Sequence, residues 1–251
     1  MDANWKDAGL LLVGHGSSRR TGAGDATRRL AESLCARHLF ADVKACFWRE
    51  EPTASLDLLA QRRIYVIPNF SGHGSHTDHL IPALLGLSGP RTEIGGRVVY
   101  YGKPVGSHPS VPALISRRAA DWCARQGLGP AATTLLLVAH GSRNPMASHT
   151  PEAIAAAVRR ESVFAEVLTA YLEREPSVRR WPDLVATDRI IALPLLLSEG
   201  MHVNIDLPPL FDDPALVGER QVWLINGIGR DSDVESMILD QVRAIDDGAR
   251  P

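Results

Sequence analysis

Four histidines in this chain lie where an imidazole could hold a metal ion or move a proton. His15 and His140 each follow an apolar run, in LLLVGHGSS and LLLVAHGSR, and His76 and His202 follow them at nearly equal distances. The pKa of imidazole lies near neutral pH, and its ring nitrogens bind cobalt, nickel and iron. Two histidine pairs at matched spacing therefore predict either metal ligation or proton transfer.

Other polar and small residues accompany each pair. Glu199 lies three residues before His202, and His73 takes the equivalent place before His76. A single His-Gly step could be an ordinary loop turn, but its recurrence with a matched second histidine argues for a functional site. Backbone N–H groups and hydroxyls near these histidines could hold a carboxylate or phosphate. The candidate anion-binding residues are Gly16, Ser17, Gly74, Gly141, Ser142 and Gly200.

The chain repeats itself at an offset of about 125 residues, which predicts two domains of the same fold. FWREEP in the first half matches YLEREP in the second, and RIYVIPNFSGHGSHTDHLIP matches RIIALPLLLSEGMHVNIDLP. The segment RQGLGPAATT carries two glycines and a proline between these patterned stretches and reads as a linker. We therefore expect one domain over residues 1–125 and a second over residues 134–251.

Each half predicts strands alternating with helices. Short apolar runs bounded by glycine or proline are typical of buried parallel strands. In the first half these runs are Leu10–Val13, Val43–Trp48, Ile64–Ile67 and Val98–Tyr101. Thr150, Pro151 and Glu152 form a good helix start in the second half. The predicted fold is α/β, with two tandem doubly wound parallel-sheet domains that face a central cleft.

The expected topology explains why the histidines of one half could meet. Ligands of open parallel sheets gather at the carboxyl ends of the strands, and the first and third strands are neighbours in the usual order. His15 follows the first strand and His76 follows the third, and His140 and His202 repeat this arrangement. Each half can therefore bring two imidazoles to one edge of its sheet.

Composition excludes several other classes of function. The 251 residues are 45% hydrophobic and 22% charged with a formal net charge of -2, so bulk electrostatics favours neither nucleic acid nor an anionic membrane. The first residues lack the basic start of a signal peptide, and no apolar run approaches a membrane span. Three scattered cysteines without a CxxC argue against a disulfide framework or an iron–sulfur cluster. We expect a cytoplasmic protein.

Taken together, VGHGSSR, VAHGSRNP, FWREEP, LPLLLSEGMHVNIDLP and YGKPVGSHP resemble the CbiX-type sirohydrochlorin chelatases in their two-domain form. The resemblance runs from about Leu10 to Arg243. It implies a class II chelatase fold and the insertion of a divalent metal into sirohydrochlorin without ATP. The metal would be cobalt on the anaerobic cobalamin route or iron on the siroheme route, and no organic cofactor is implied.

The resemblance also implies roles for individual residues. The family's metal and proton-transfer pair falls on His140 with His202, and on His15 with His76, while Glu199 would assist metal delivery or accept a proton. The second half keeps the pattern best, because Leu80 stands in the first half where Asp206 stands in the second. One or both halves could therefore act, with Co²⁺, Fe²⁺ or Ni²⁺ as the ion, in a monomer or a homodimer.

Two other readings of the same residues stay open. A histidine phosphatase has an arginine directly before its histidine, whereas glycine and alanine stand there in this chain. A non-catalytic carrier of metal or tetrapyrrole would use the same duplicated clamp without turnover. Repeated turnover would distinguish an enzyme from such a carrier.

Overall fold

The structure is a computed structural model that describes residues 5–18, 22–141, 149–161, 163–197, 205–230 and 232–249. It contains two compact units, one formed by Met1–His108 with Asp231–Pro251 and the other by Pro109–Arg230. The strands are β1 (Trp5–Gly14), β2 (Phe40–Phe47), β3 (Arg63–Pro68), β4 (Arg91–Ile94), β5 (Arg97–Tyr101), β6 (Thr134–Ala139), β7 (Glu166–Tyr171), β8 (Arg189–Pro194) and β9 (Gln221–Leu224). The helices are α1 (Asp25–Ala36), α2 (Ile81–Leu84), α3 (Val111–Gln126), α4 (His149–Glu161), α5 (Trp181–Leu184), α6 (Pro208–Asp212), α7 (Pro214–Val217) and α8 (Asp233–Ala249).

In both sheets the first and third predicted strands of the half are neighbours, as the sequence predicts, and both sheets are built on buried central strands. The first sheet runs β2-β1-β3-β5-β4 and the second runs β7-β6-β8-β9. The apolar runs of the two central strands, residues 10–13 and 135–138, are completely buried. Burial on both faces explains why these strands read as continuous apolar runs without alternation.

The first sheet departs from the prediction at one edge. Strand β4 was not predicted, and it pairs antiparallel with β5. The connection is Gly95-Gly96, with φ angles of 59° and 74°. Consecutive residues in the left-handed region form the tight turn of a hairpin, and two glycines adopt it without steric cost.

Alternation of strands and helices predicts a helix between the second and third strands of the first half, and this prediction is wrong. The structure has one 3-10 turn there, Leu56–Leu58. The connection begins with a reversal of the chain direction, in which the Phe47 N–H donates to the Pro52 carbonyl oxygen at 3.0 Å. By contrast, helix α4 begins at His149, so the predicted start near Thr150 is confirmed.

The last helix of each sequence repeat belongs to the other repeat's compact unit. Helix α3 ends the first repeat but lies in the second unit, and α8 ends the second repeat but lies in the first unit. In the first unit the Trp5 indole N–H donates to Asp246 of α8 at 2.6 Å, and the Tyr65 hydroxyl donates to the other oxygen of the same carboxylate. The boundaries 1–125 and 134–251 follow the repeats of the sequence, and the division into two domains at these boundaries stays a prediction.

Among the described helices, none combines the length and the apolar character that crossing a membrane requires.

Asp246→Ala is expected to destabilise the protein by about 2–3 kcal/mol, because it leaves two buried donors, Trp5 Nε1 and Tyr65 Oη, without an acceptor. The measurement is the free energy of unfolding from urea titration monitored by tryptophan fluorescence. Asp240→Asn is the matched control on the same helix, since Asp240 pairs with Arg243 at the surface. An exposed pair of this kind contributes about 0–1 kcal/mol. Equal losses in the two variants would contradict this account of α8.

Candidate metal and substrate site

The first histidine of each half lies in a turn that is tied to the end of the neighbouring strand. In the first half the Trp48 N–H donates to the Gly14 carbonyl oxygen at 3.1 Å, and the Arg49 N–H donates to the His15 carbonyl oxygen at 2.9 Å. In the second half the Glu173 N–H donates to the His140 carbonyl oxygen at 3.0 Å. Residues 49 and 173 are therefore fixed beside the first histidine of their halves.

A glycine must follow each of these histidines. Gly16 and Gly141 have φ angles of 65° and 83°, in the left-handed region that disfavours other residues. A Cβ atom at Gly16 would lie 2.5 Å from the Cβ of Glu50, and one at Gly141 would lie 3.1 Å from the Cγ of Arg174. The recurring His-Gly pair thus reflects a tight turn against the neighbouring strand end, with the imidazole directed by that turn.

The structure brings His15 and His76 together. Their strands are neighbours, with Val13 beside Pro68 in the β1–β3 register, and the two ring centroids are 5.2 Å apart. His15 Nδ1 is 2.8 Å from the Gly16 carbonyl oxygen, which can only accept, so Nδ1 carries the proton in this hydrogen bond. The neutral ring therefore keeps its lone pair on Nε2, the atom that could bind a metal ion or accept a proton.

Aromatic rings surround His76. Phe70 is stacked on it at 6.2 Å between centroids, and Trp48 meets it edge-on, also at 6.2 Å. Burial lowers the pKa of His76 below its usual value, and the nearby charges of His15 and Arg49 lower it further. Both effects favour the neutral form of the ring.

The second half has a carboxylate beside its first histidine. His140 Nδ1 is 2.9 Å from the Gly141 carbonyl oxygen, which fixes the same tautomer as in His15. His140 Nε2 is 3.6 Å from Glu173 Oε1, and both side chains are about half exposed, at 45% and 59%. Glu173 is not predicted as a site residue from the sequence, because YLEREP reads as a strand followed by a turn. The signal that could have identified Glu173 is its place just after the carboxyl end of β7, the strand beside β6.

The remaining predicted residues of the second half, Ser142, Glu199, Gly200 and His202, lie outside the described residues. Within the described ranges, no group of three or more His, Cys, Asp or Glu side chains is positioned to share one ion. Each half thus presents a pair of groups there, His15 with His76 and His140 with Glu173.

The two halves carry opposite charges at equivalent places. Arg28 pairs with Glu50 at 2.6 Å in the first half. In the second half Glu152 replaces Arg28 and Arg174 replaces Glu50, at a distance of 3.5 Å. The residue beside the histidine is also reversed, since Arg49 stands where Glu173 stands.

Two of the predicted anion-binding residues of the first half use their amides internally. The Ser17 N–H donates to Glu50 Oε2 at 3.2 Å, so a carboxylate of the chain already accepts it. The Gly74 N–H donates to the Thr77 hydroxyl at 3.0 Å. In the same segment His73 Nδ1 lies 2.9 Å from Asp78 Oδ1. Ligand binding through the Ser17 and Gly74 amides would have to displace these partners.

Arg28→Glu is expected to destabilise the protein by about 1 kcal/mol, because it places two carboxylates together and removes the cation that lies 4.4 Å from the Phe47 ring. The double variant Arg28→Glu/Glu50→Arg copies the second half's arrangement and should recover most of the loss. Urea unfolding of wild type, both single variants and the double variant measures the coupling. Strictly additive losses would show that the reversed pairs are not equivalent.

Comparison with known proteins agrees with the duplication of the chain. The CbiX family model matches residues 9–122 and 134–245. The probable sirohydrochlorin cobaltochelatase of Halobacterium salinarum is 28% identical, with 96% of this chain and 91% of that protein covered.

Two solved structures share the fold over nearly all of this chain. CbiX, described as the terminal enzyme of siroheme biosynthesis in denitrifying bacteria, superimposes with a TM-score of 0.72 at 26% identity, covering 94% of this chain and 98% of that one. DR2241 from Deinococcus radiodurans, a multi-domain protein with structural similarity to chelatases, gives a TM-score of 0.76 at 28% identity and 93% coverage of this chain. The chain spans 54% of the length of DR2241.

The family match includes both repeats, and the two His-Gly turns and the paired side chains beside them lie inside it. The chain therefore belongs to the CbiX family.

Proposed function

We propose that this protein is an enzyme that inserts a divalent metal ion, Co²⁺ or Fe²⁺, into sirohydrochlorin without ATP. The observation that carries the proposal is the pair formed by His140 Nε2 and Glu173 Oε1 at 3.6 Å. Membership of the CbiX family and the similarity to a protein named as a probable sirohydrochlorin cobaltochelatase also support the proposal.

The chemistry requires a weak ligand set and a base. Metallation removes two protons from the inner nitrogens of the macrocycle and places the divalent ion among all four. A neutral imidazole can hold the ion or accept a proton, and a carboxylate can do the same while balancing charge. Few protein ligands suit this task, because the ion must leave them for the macrocycle.

We assign the metal step to the second half. The hydrogen bond from His140 Nδ1 to the Gly141 carbonyl oxygen leaves Nε2 as the ring nitrogen that faces Glu173, and Glu173 adds a carboxylate beside it. His202 is proposed as the third group, because His76 holds the equivalent place and lies 5.2 Å from His15. Glu199 is proposed to accept a proton or to help deliver the ion.

The physiological metal is proposed to be Co²⁺ for cobalamin synthesis or Fe²⁺ for siroheme synthesis. Imidazole and carboxylate ligands bind both ions and Ni²⁺ as well, so the ligand types leave the choice to metal supply. No organic cofactor takes part in the proposed reaction. The tetrapyrrole and the ion are its two substrates.

The test is an absorbance assay that follows the metallation of sirohydrochlorin with Co²⁺, Fe²⁺ and Ni²⁺ in turn under anaerobic conditions. An enzyme continues to form product over many equivalents, whereas a carrier stops after about one equivalent per protein. A heat-denatured sample controls for spontaneous insertion. Product formation no faster than in that control would reject the proposed function.

A further inference from the structure

We propose that the first half of the chain binds a carboxylate of the ligand with Arg49, beside His15 and His76, and leaves the metal ion to the second half. The inference rests on the proposed function, because sirohydrochlorin carries the carboxylates around its rim. All three side chains lie in the first compact unit.

Positions 49 and 173 are equivalent in the two halves, in FWREEP and YLEREP. Each donates its backbone N–H to the carbonyl oxygen of the first histidine of its half, at 2.9 Å for Arg49 and 3.0 Å for Glu173. The side chain at position 173 reaches to 3.6 Å from the imidazole of His140. The same backbone anchor gives Arg49 the corresponding position in the first half, and the positive charge of its side chain lowers the pKa of His76.

The exchange of glutamate for arginine changes what the first half can bind. A fixed positive charge beside two imidazoles repels a divalent cation and attracts an anion. Two carboxylates of the first half have other partners, since Glu50 pairs with Arg28 at 2.6 Å and Asp78 lies 2.9 Å from His73. The positive charge of Arg49 is therefore available to a ligand.

The surroundings of Arg49 suit an organic anion on a flat ring system. The planar guanidinium presents parallel N–H donors that match the geometry of a carboxylate. Phe70 and Trp48 each lie 6.2 Å from His76 and supply an aromatic surface for a conjugated macrocycle. The Trp48 indole N–H is buried and has no hydrogen-bond partner in the part of the chain that the structure describes.

The first test measures binding of metal-free sirohydrochlorin to the full-length protein by fluorescence titration. Arg49→Gln is expected to raise the Kd about tenfold, the size of one lost charge-assisted hydrogen bond. Arg49→Lys keeps the charge and should lose less. Arg91→Gln removes one exposed positive charge from β4, where Arg91 pairs with Glu93, and controls for net charge. Equal affinity of Arg49→Gln and wild type would overturn the inference.

The second test counts bound Co²⁺ by equilibrium dialysis of untagged protein in the absence of tetrapyrrole. Wild type is expected to bind one ion, which His140→Ala removes and His15→Ala retains. Arg49→Glu gives the first half the same acid as the second half and should raise the count to two, whereas Arg49→Gln should leave it at one. Two ions in wild type, or one ion lost in His15→Ala, would overturn the inference.

The two proposals fail in different ways. A wild-type protein that neither binds nor metallates sirohydrochlorin contradicts the proposed function itself. A wild-type protein that metallates it, together with an Arg49→Gln variant of unchanged affinity, contradicts the role of the first half alone. Circular dichroism of each variant checks that the exposed substitution leaves the fold intact.

Discussion

His140→Ala is expected to lower kcat/KM for sirohydrochlorin metallation about 100-fold or more, which is the size of effect seen when a positioned base is removed. The substitution removes the Nε2 atom that lies 3.6 Å from Glu173 and whose tautomer is fixed by the Gly141 carbonyl oxygen. The absorbance assay of the proposed reaction measures the loss. Glu173→Gln should reduce the rate in the same direction, because it removes the negative charge beside the imidazole.

Two other histidine substitutions make this prediction specific. His15→Ala acts on the equivalent position of the first half, and its main expected effect is a higher KM for the tetrapyrrole with a smaller change in kcat. His38→Asn replaces an exposed histidine with a φ of 51°, a conformation that asparagine tolerates, and should leave the rate unchanged. A His140→Ala variant with wild-type kcat/KM would remove the second half from the mechanism.

Gly106→Ala is expected to destabilise the protein by about 3 kcal/mol and to disturb the loop that precedes His76. An added Cβ would lie 2.3 Å from the carbonyl oxygen of Ser71, and this contact is with backbone that cannot rotate away. The Gly106 N–H also donates to the Phe70 carbonyl oxygen at 2.9 Å, which holds the two segments together. Overpacking of this kind typically costs about 1–3 kcal/mol or more.

Thermal and urea unfolding measure the loss of stability in Gly106→Ala. Gly89→Ala is the matched control, because no atom lies within 4 Å of the Cβ that it adds. Gly229 has the equivalent contact in the second half, 2.1 Å from the Leu197 carbonyl oxygen, and alanine there should cost a similar amount. A Gly106→Ala variant as stable as Gly89→Ala would mean that the two loops separate freely.

Much of the fold could be predicted because it depends on local signals. The central strands are buried on both faces, so their apolar runs mark them directly, and glycine or proline marks their ends. Adjacency of the first and third strands follows from general rules of parallel sheets, and it is enough to bring His15 near His76. The site residues that directly follow a strand could therefore be predicted from the sequence.

The features that could not be predicted depend on partners distant in sequence. The hairpin of β4 is signalled only by Gly95-Gly96 between two short β-rich stretches, and such a turn does not reveal which sheet edge it will extend. The assignment of α8 to the first unit depends on Asp246 meeting Trp5, and no local pattern encodes that contact. Glu173 likewise looks like part of a turn until the neighbouring strand places it beside His140.

The charged residues that are reversed between the halves can be seen in the sequence, but the sequence does not show that they form ion pairs. Arg28 with Glu50 and Glu152 with Arg174 are compensating changes, which become a pair only when the structure brings them together. Arg49 and Glu173 hold equivalent positions in the same motif. Among the described residues, their exchange of charge is not matched by a second exchange at an ion-pair partner. This uncompensated difference is the physical reason for assigning different tasks to two halves of similar sequence.

The placement of α3 and α8 limits how this chain can be divided. A fragment ending at residue 125 would lack the acceptor for Trp5 and Tyr65, which Asp246 provides from the far end of the chain. An exchange of equivalent helices between two repeats is the single-chain counterpart of domain swapping. Neither repeat should be obtainable as a folded fragment by itself, whereas the two fragments expressed in the same cell should reassemble by complementation.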